Sequence, residues 1–222
     1  MLRVGLLHAT PSAVKPNDSH SGGAVVQLPH DVAAADAVVR AIEERCAAAT
    51  GVPAHEDEST LMMRHTPPSA SGRMVDSLHL DTNNAKRHRC ATVIIYLNDV
   101  PEGQGGETRF PLADAEDDSP LVAAATTAAS SGFTAMRSDV DGAPREWGWL
   151  QDASEDPSRG VHVRPRRGAA CVFWTMYEDS SIVDPRTWHN GARVAAGGGG
   201  KWIVQKFKEL PAVRRKKKVG FE

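Results

Sequence analysis

The sequence predicts a mainly β fold of the α+β class with one N-terminal supporting helix, and three observations carry that expectation. Helical spacing of apolar residues is confined to a stretch near residues 31 to 49. Beyond it the chain breaks into short runs rich in β-branched, aromatic and Leu residues, and Gly, Pro, Asn and Asp punctuate those runs. At 222 residues and 23.8 kDa the chain is long enough for one well-cored domain, and all-β domains of this length commonly stay single.

The helix comes first. Val32, Ala35, Val39, Ile42, Cys46 and Ala49 recur at helical spacing, with Asp31 placed to cap the start and Gly51 to stop the last turn. The strand-like runs follow: Arg73 to Leu80, Arg89 to Asn98, Gly168 to Trp174 and Lys201 to Phe207. Strand alternation in the second sets Thr92, Ile94 and Tyr96 on one face and Val93, Ile95 and Leu97 on the other. Gly105 to Pro111 reads as a sharp turn followed by a short strand, and Pro165 to Gly168 as another turn. Over residues 113 to 160 no period lasts, and ten Asp/Glu stand against three Arg, so about 112 to 160 is expected to be a long acidic surface loop. Its Trp147 and Trp149 either pin it to the body of the fold or line a substrate groove. Residues 1 to 24 are weakly patterned, the domain proper is expected over 25 to 210, and 211 to 222 form a basic tail containing Arg214, Arg215 and Lys216 to Lys218.

Composition removes several function classes. Hydrophobic residues at 41% and charged residues at 24% exclude general disorder, and a net charge of -2 gives no overall pull toward nucleic acid or anionic membrane. The first apolar run, Met1 to Leu7, is broken by Gly5 and too short for a secretory leader. No later run approaches the roughly 18 apolar residues of a membrane helix. A cytoplasmic protein is therefore expected, or one of the endoplasmic reticulum if an N-terminal segment precedes this sequence. Cys46, Cys90 and Cys171 are widely separated and unpaired by any CxxC spacing, which favours neither a disulfide framework nor a thiolate zinc site, and the two in strand-like runs, Cys90 and Cys171, read as small core residues.

His79-Leu80-Asp81 is the first motif with chemical content. Residues i and i+2 of a strand share a face about 7 Å apart, so an imidazole and a carboxylate can converge on one ion. HxD alone is weak, because any strand can carry two polar residues on its solvent face. His189 supplies the missing partner: it follows one strand-like segment and precedes another, which suits a ligand facing the HxD strand. Two His and one carboxylate form the facial triad of non-haem iron(II) oxygenases and leave positions open for a 2-oxo acid and dioxygen, whereas a structural zinc site is closed by four protein ligands. His55, His65, His88 and His162 lack that combination of spacing and context. Lys201 lies twelve residues after His189 and starts an alternating run. If Ile203 and Gln205 share its face, its ammonium projects inward, where a bound dicarboxylate would satisfy it. A surface lysine is the plain alternative.

Taken together, His79-Leu80-Asp81, Arg89 to Val100, Gly105-Gly106-Glu107-Thr108-Arg109-Phe110-Pro111, Arg164 to Trp174, His189 and Lys201-Trp202 resemble the catalytic core of the prolyl 4-hydroxylases, a family of iron(II)/2-oxoglutarate-dependent dioxygenases. The likeness is clear from His79 to Phe207 and weaker from Val32 to His65. It implies a double-stranded β-helix, or jelly-roll barrel, and metal ligation by His79, Asp81 and His189. It further implies that Lys201 holds the distal carboxylate of 2-oxoglutarate with help from Tyr96 and Thr108, and that Arg89 contacts a peptide substrate. The implied reaction is hydroxylation of a C–H bond, foremost peptidyl proline at carbon 4, with O2 consumed and succinate and CO2 released. Iron(II), 2-oxoglutarate and L-ascorbate are the implied cofactors, and a proline-containing protein or peptide is the implied partner. The sequence departs from the family where a tyrosine is usual before the first ligand, a neighbourhood occupied here by His65, and at Phe207, where a tryptophan is usual. The Gly197 to Gly200 run also lengthens the path to Lys201, and the family's entrance before the barrel is shortened. Two other readings stand beside it: a catalytically degenerate jelly-roll module that binds metal or peptide, and a metal-dependent hydrolase, which lacks any HExxH-like helix.

Overall fold

The alternation predicted for the central strands governs how the layers stack. The structure is a computed structural model and describes residues 15–16, 24–68, 78–81, 89–130, 153, 156–177, 182–197 and 199–211. In chain order its elements are β1 (Lys15–Pro16), β2 (Ala24–Gln27), α1 (His30–Ala35), α2 (Ala37–Thr50), β3 (Met62–Thr66), β4 (Arg89–Tyr96), β5 (Thr108–Phe110) and α3 (Pro120–Ser130). Then come β6 (Val161–Val163), β7 (Ala170–Trp174), a 3-10 turn (Pro185–Thr187), β8 (Asn190–Gly191) and β9 (Lys201–Glu209). One sheet has six strands in the order β1-β2-β3-β9-β4-β7 and a second has three in the order β6-β5-β8. Every pairing is antiparallel. His79 and His189 form a separate antiparallel bridge beside β8.

The two faces of the large sheet do different work. Ile94, Tyr96 and Ile203 meet Phe110 of the small sheet and Phe173 of β7 in one buried cluster. The opposite face carries Met63 and Val204, which pack with Leu28, Val39 and Leu61, and Ile95 and Leu97 lie against that second cluster. The period-2 expectation for residues 92 to 97 therefore divides the strand between two cores, as strand geometry requires.

The helix read over 31 to 49 is two helices. Asp36 has extended backbone (φ -84, ψ 120), and its carboxylate accepts the amides of Val38 (2.8 Å) and Val39 (2.9 Å). An Asp that satisfies two otherwise orphaned N–H groups starts a new helix there. Asp31 consequently lies in the first turn of α1 and does not cap the long helix. Gly51 ends α2 at φ 67, a left-handed conformation in which glycine meets no steric penalty.

The stretch expected to be a loop over 112 to 160 contains α3. Its signal was hidden because Pro120-Leu121-Val122-Ala123-Ala124-Ala125 presents small residues in place of large apolar ones. The cues are local: Pro120 opens the helix and the Ser119 hydroxyl accepts the Leu121 amide at 3.3 Å. Val122, Ala125 and Ala128 face inward, and Ala125 and Ala128 pack on Leu78 and Leu80. Of the strand expected at Arg73 to Leu80, only its end at residues 78 to 80 is described, and there only His79 is bridged. His88, Trp147, Trp149 and the basic cluster Arg214 to Lys218 lie outside the described residues. Among the described residues no helix is long and apolar enough to cross a membrane. Burial pushes the thiols of Cys46 and Cys171 up to about 11; Cys46 is buried, whereas Cys90 and Cys171, expected in the core, are half-buried.

β9 also carries a buried charge network toward α2. Lys206 Nζ lies 2.6 Å from Glu43 Oε2 and 3.1 Å from Glu58 Oε2, and it donates to the Ser59 carbonyl at 2.7 Å. Lys208 Nζ contacts Glu58 Oε2 at 2.8 Å, and Glu58 Oε1 accepts the Glu209 amide at 3.0 Å. The Glu209 carboxylate accepts from the Ser59 hydroxyl (3.1 Å) and lies 3.7 Å from Arg89 Nε. Removing one member of such a buried set strands the others away from water. Glu58→Ala is expected to lower unfolding stability by about 3–5 kcal/mol in urea titration; an unchanged midpoint would show that the network contributes nothing.

Candidate metal centre

The site grows out of a four-residue alternation. Leu78 and Leu80 are buried against α3, so His79 and Asp81 point the other way, toward the cluster between the sheets. The backbone then fixes the third residue: His79 donates its amide to the His189 carbonyl and His189 returns its own to His79, both at 2.9 Å. Their rings lie 4.3 Å apart at 50°. His79 Nε2 is 3.4 Å from Asp81 Oδ1, and His189 Nε2 is 3.5 Å from Asp81 Oδ2. One donor atom from each of the three residues lies within 4.8 Å of the others. Among the described residues this is the one group of three or more His, Cys, Asp or Glu side chains with metal-binding spacing.

The donor set fits a divalent transition metal. His189 Nδ1 sits 2.9 Å from the Thr187 carbonyl, which can only accept, so that nitrogen holds the ring proton and Nε2 keeps its lone pair toward the centre. Asp81 Oδ2 accepts from the Thr92 hydroxyl at 2.8 Å and from Gln205 Nε2 at 3.5 Å. Burial alone would push the Asp81 carboxyl up, but His189 and His79 beside it, with hydrogen bonds from His79 and Thr92, hold it well below the usual carboxylate range. In the metal-free protein this contributes stability that is present above the unfolded-chain carboxylate value and is lost as pH falls from there through the depressed folded one. Phe110 and Phe173 close around His189 at centroid distances of 5.4 and 4.8 Å, which keeps water from that side. Three protein ligands, two nitrogen and one oxygen, leave coordination positions for other molecules.

Deeper along β9, Lys201 is 3% exposed and donates from Nζ to the Gly106 carbonyl at 2.9 Å. Gly106 reaches that position through a tight turn, since a Cβ on its neighbour Gly105 (φ 76) would lie 2.0 Å from the Arg193 carbonyl oxygen. Ile203, on the face shared by Lys201, pairs with Tyr96. The Tyr96 hydroxyl and Thr108 Oγ1 are hydrogen-bonded at 2.8 Å, and burial pushes the Tyr96 hydroxyl up, so it stays a neutral donor. Lys201, Tyr96 and Thr108 thus line the same interior cluster as the three metal-binding candidates.

Arg89 is elsewhere. Its guanidinium lies over the Phe207 ring at 3.6 Å and against Glu209 at 3.7 Å, at the start of β4. His65 pairs with Trp202 across β3 and β9 and stacks on it at 4.3 Å. That is the face opposite Lys201, so His65 does not stand in for a tyrosine in the site. The residues whose role sequence reasoning missed are Thr92 and Gln205, the two that hold Asp81. Alternation from Tyr96 and Lys201 already placed both on the inner face, but nothing in the sequence pairs either with Asp81.

A family profile described as the 2OG-Fe(II) oxygenase superfamily matches residues 72–208. Probable prolyl 4-hydroxylase 3 of Arabidopsis thaliana is 30% identical over 174 residues, covering 78% of this chain and 49% of that protein. Prolyl 4-hydroxylase 1 of the same plant is 32% identical over 174 residues, covering 76% of this chain and 48% of its own. The chain spans about half the length of the curated relatives it matches. A solved viral collagen prolyl hydroxylase from Paramecium Bursaria Chlorella virus-1 is 16% identical with a TM-score of 0.48, over 85% of this chain and 80% of that one.

Outer-shell donors to a ligating carboxylate commonly change metal affinity about 10–100-fold when removed. Thr92→Val keeps shape and loses the hydroxyl, and it is expected to weaken cobalt(II) binding by that factor in an absorption titration. Unaltered affinity would show that Thr92 does not position Asp81.

Proposed function

The chain belongs to the 2OG-Fe(II) oxygenase superfamily as a prolyl 4-hydroxylase-like member, and from that premise we propose that it hydroxylates a C–H bond of a peptidyl substrate, foremost peptidyl proline at carbon 4. The observation that carries the reading is the convergence of His79, Asp81 and His189 with a buried lysine on the same interior face. In this reading the two sheets are the halves of a double-stranded β-helix. Its support is the way strands after β3 alternate between them: β4 and β7 in the large sheet, β5 and β6 in the small, then β8 in the small and β9 in the large. The oxygenase unit is taken to run from about residue 25 to residue 210.

His79, Asp81 and His189 would hold iron(II). The metal would supply the oxidising chemistry that couples conversion of 2-oxoglutarate and O2 into succinate and CO2 to hydroxylation of the substrate. The remaining work falls to this chain. Thr92 and Gln205 keep Asp81 oriented and anionic, and the Thr187 carbonyl sets the tautomer of His189. Lys201 offers a charge-assisted donor for the distal carboxylate of 2-oxoglutarate, and the Tyr96–Thr108 hydroxyl pair adds neutral donors beside it. Phe110 and Phe173 exclude water around His189, which strengthens those contacts. Arg89, steadied by Phe207 and Glu209, is assigned to the peptide backbone. L-ascorbate is assigned as the reductant that keeps the metal as iron(II).

The test is succinate formation by the purified protein given iron(II), ascorbate and 2-oxoglutarate, with and without proline-rich peptides. Peptide-stimulated succinate that disappears in His189→Ala and Asp81→Ala is expected. Metal binding without 2-oxoglutarate consumption would assign the chain to the degenerate binding module instead. Loss of one charge-assisted contact is worth about 1.5–3 kcal/mol, so Lys201→Met is expected to raise the KM for 2-oxoglutarate about ten- to a hundredfold. An unchanged KM would remove Lys201 from the co-substrate site.

A further inference from the structure

A sheet face that one helix covers only in part leaves a cleft, and the large sheet has one on the side away from the metal centre. The turn of α2 sets Val38, Ile42, Arg45 and Ala49 in a single stripe, and that stripe lies along a cleft of about 350 Å³ floored by β4 and β7. Ile95, Leu97 and Val172 of the floor are half-buried, so the packing of α2 does not finish covering them. Val38, at the N-terminal end of the stripe, is 54% exposed. The other end is tied down, because Trp174 Nε1 donates to the Thr50 carbonyl at 3.4 Å and joins the close of β7 to the last turn of α2.

The lining is aliphatic with a single charge. Apart from Arg45 and the Cys46 thiol, no lining side chain carries a polar atom, and none is aromatic. Arg45 also lacks a counter-charge. The residues three and four positions from it on the helix are Ala41, Ile42, Ala48 and Ala49, and Glu43 is taken by Lys206 at 2.6 Å. Among the described residues Arg45 makes no hydrogen bond or ion pair. Apolar walls with one placed polar group are the usual construction of a small-molecule site, in which the polar group fixes the orientation of the ligand.

We infer that this cleft binds a straight-chain aliphatic carboxylate, with the hydrocarbon laid between α2 and the sheet and the carboxylate paired to Arg45. The volume sets the size: at the roughly 30 Å³ that one water occupies it takes about a dozen non-hydrogen atoms, those of a ten-carbon acid. One guanidinium matches one carboxylate, whereas a phosphate dianion would keep uncompensated charge. A sugar, a nucleotide or a peptide would leave its own polar groups unpaired against these walls. The site is independent of the oxygenase reading, because Ile95 and Leu97 belong to the core on one face of β4 and Ile94 and Tyr96 to the core on the other.

The experiment is a calorimetric titration of the full chain with sodium decanoate, sodium octanoate and octanol, repeated on Arg45→Gln and Ala49→Trp, both at exposed positions of α2. Wild type is expected to take one decanoate per chain with a negative heat-capacity change. Each buried CH2 is worth about fourfold, so decanoate is expected to bind at least about tenfold more tightly than octanoate. Octanoate is expected to exceed octanol by roughly threefold, the size of a partly exposed ion pair. Arg45→Gln is expected to erase that preference and Ala49→Trp, which fills the cleft, to abolish binding of all three. The comparison of acid with alcohol needs no variant, so it decides the matter even where a substitution disturbs the fold. Absence of saturable decanoate binding overturns the inference, as does equal affinity of wild type for octanoate and octanol. Decanoate affinity undiminished in Ala49→Trp would place the ligand elsewhere, and a wild-type dimer in sedimentation that Ala49→Trp dissociates would give the cleft to a second copy; either result overturns it too.

Discussion

The reciprocal backbone pair between His79 and His189 is the constraint on which the site depends. It joins two donors far apart in sequence through main-chain hydrogen bonds, so their separation is set by strand geometry before any side chain chooses a rotamer. Asp81 follows automatically, because it is two residues from His79 on the same face, and Leu78 and Leu80 are held on the other by α3. A slip of one residue would exchange the leucines for the histidine and aspartate, putting two polar groups into an apolar cluster. The hydrophobic packing of α3 is thus what makes the polar arrangement unique.

β9 carries charges on both faces, and the two faces solve the problem of buried charge differently. Toward α2, Lys206 and Lys208 meet Glu43 and Glu58 directly. Toward the interior, Lys201 has the Gly106 carbonyl, and Gln205 leans on Asp81. A pair of opposite charges within the protein is a closed arrangement, suited to fixing a helix and a loop on a sheet.

Much of this was legible in the sequence, and the reason is periodicity. The alternation of β4 and β9 placed Tyr96 and Lys201 inward, and the i, i+2 spacing of His79 and Asp81 brought them to one face. What escaped was information that no period carries. After its first turn α3 is built from Ala, Thr and Ser, whose burial depends on how close the partner lies and not on their hydrophobicity. Asp36 divides a continuous apolar pattern because it satisfies two amides locally. Thr92 and Gln205 are ordinary strand residues until Asp81 arrives from elsewhere in the chain. Of the small sheet only β5 was legible, as the short strand within Gly105 to Pro111; β6, β8 and the pairing of β2 with β3 are too brief to announce themselves before their neighbours are known.

The place of β9 has a consequence for how the protein comes into being. It follows every other described strand in chain order, yet in the large sheet it sits between β3 and β4. During synthesis the earlier strands emerge as two unjoined groups, each with an apolar face and an open hydrogen-bonding edge where β9 will later insert. Such contacts between distant parts of a chain form slowly, and the waiting edges are open to mispairing with other nascent chains. Only when β9 has left the ribosome do the groups join, the lysine reach the interior and the charge network lock α2 in place. The strand that brings in Lys201 is therefore also the one that joins the two groups.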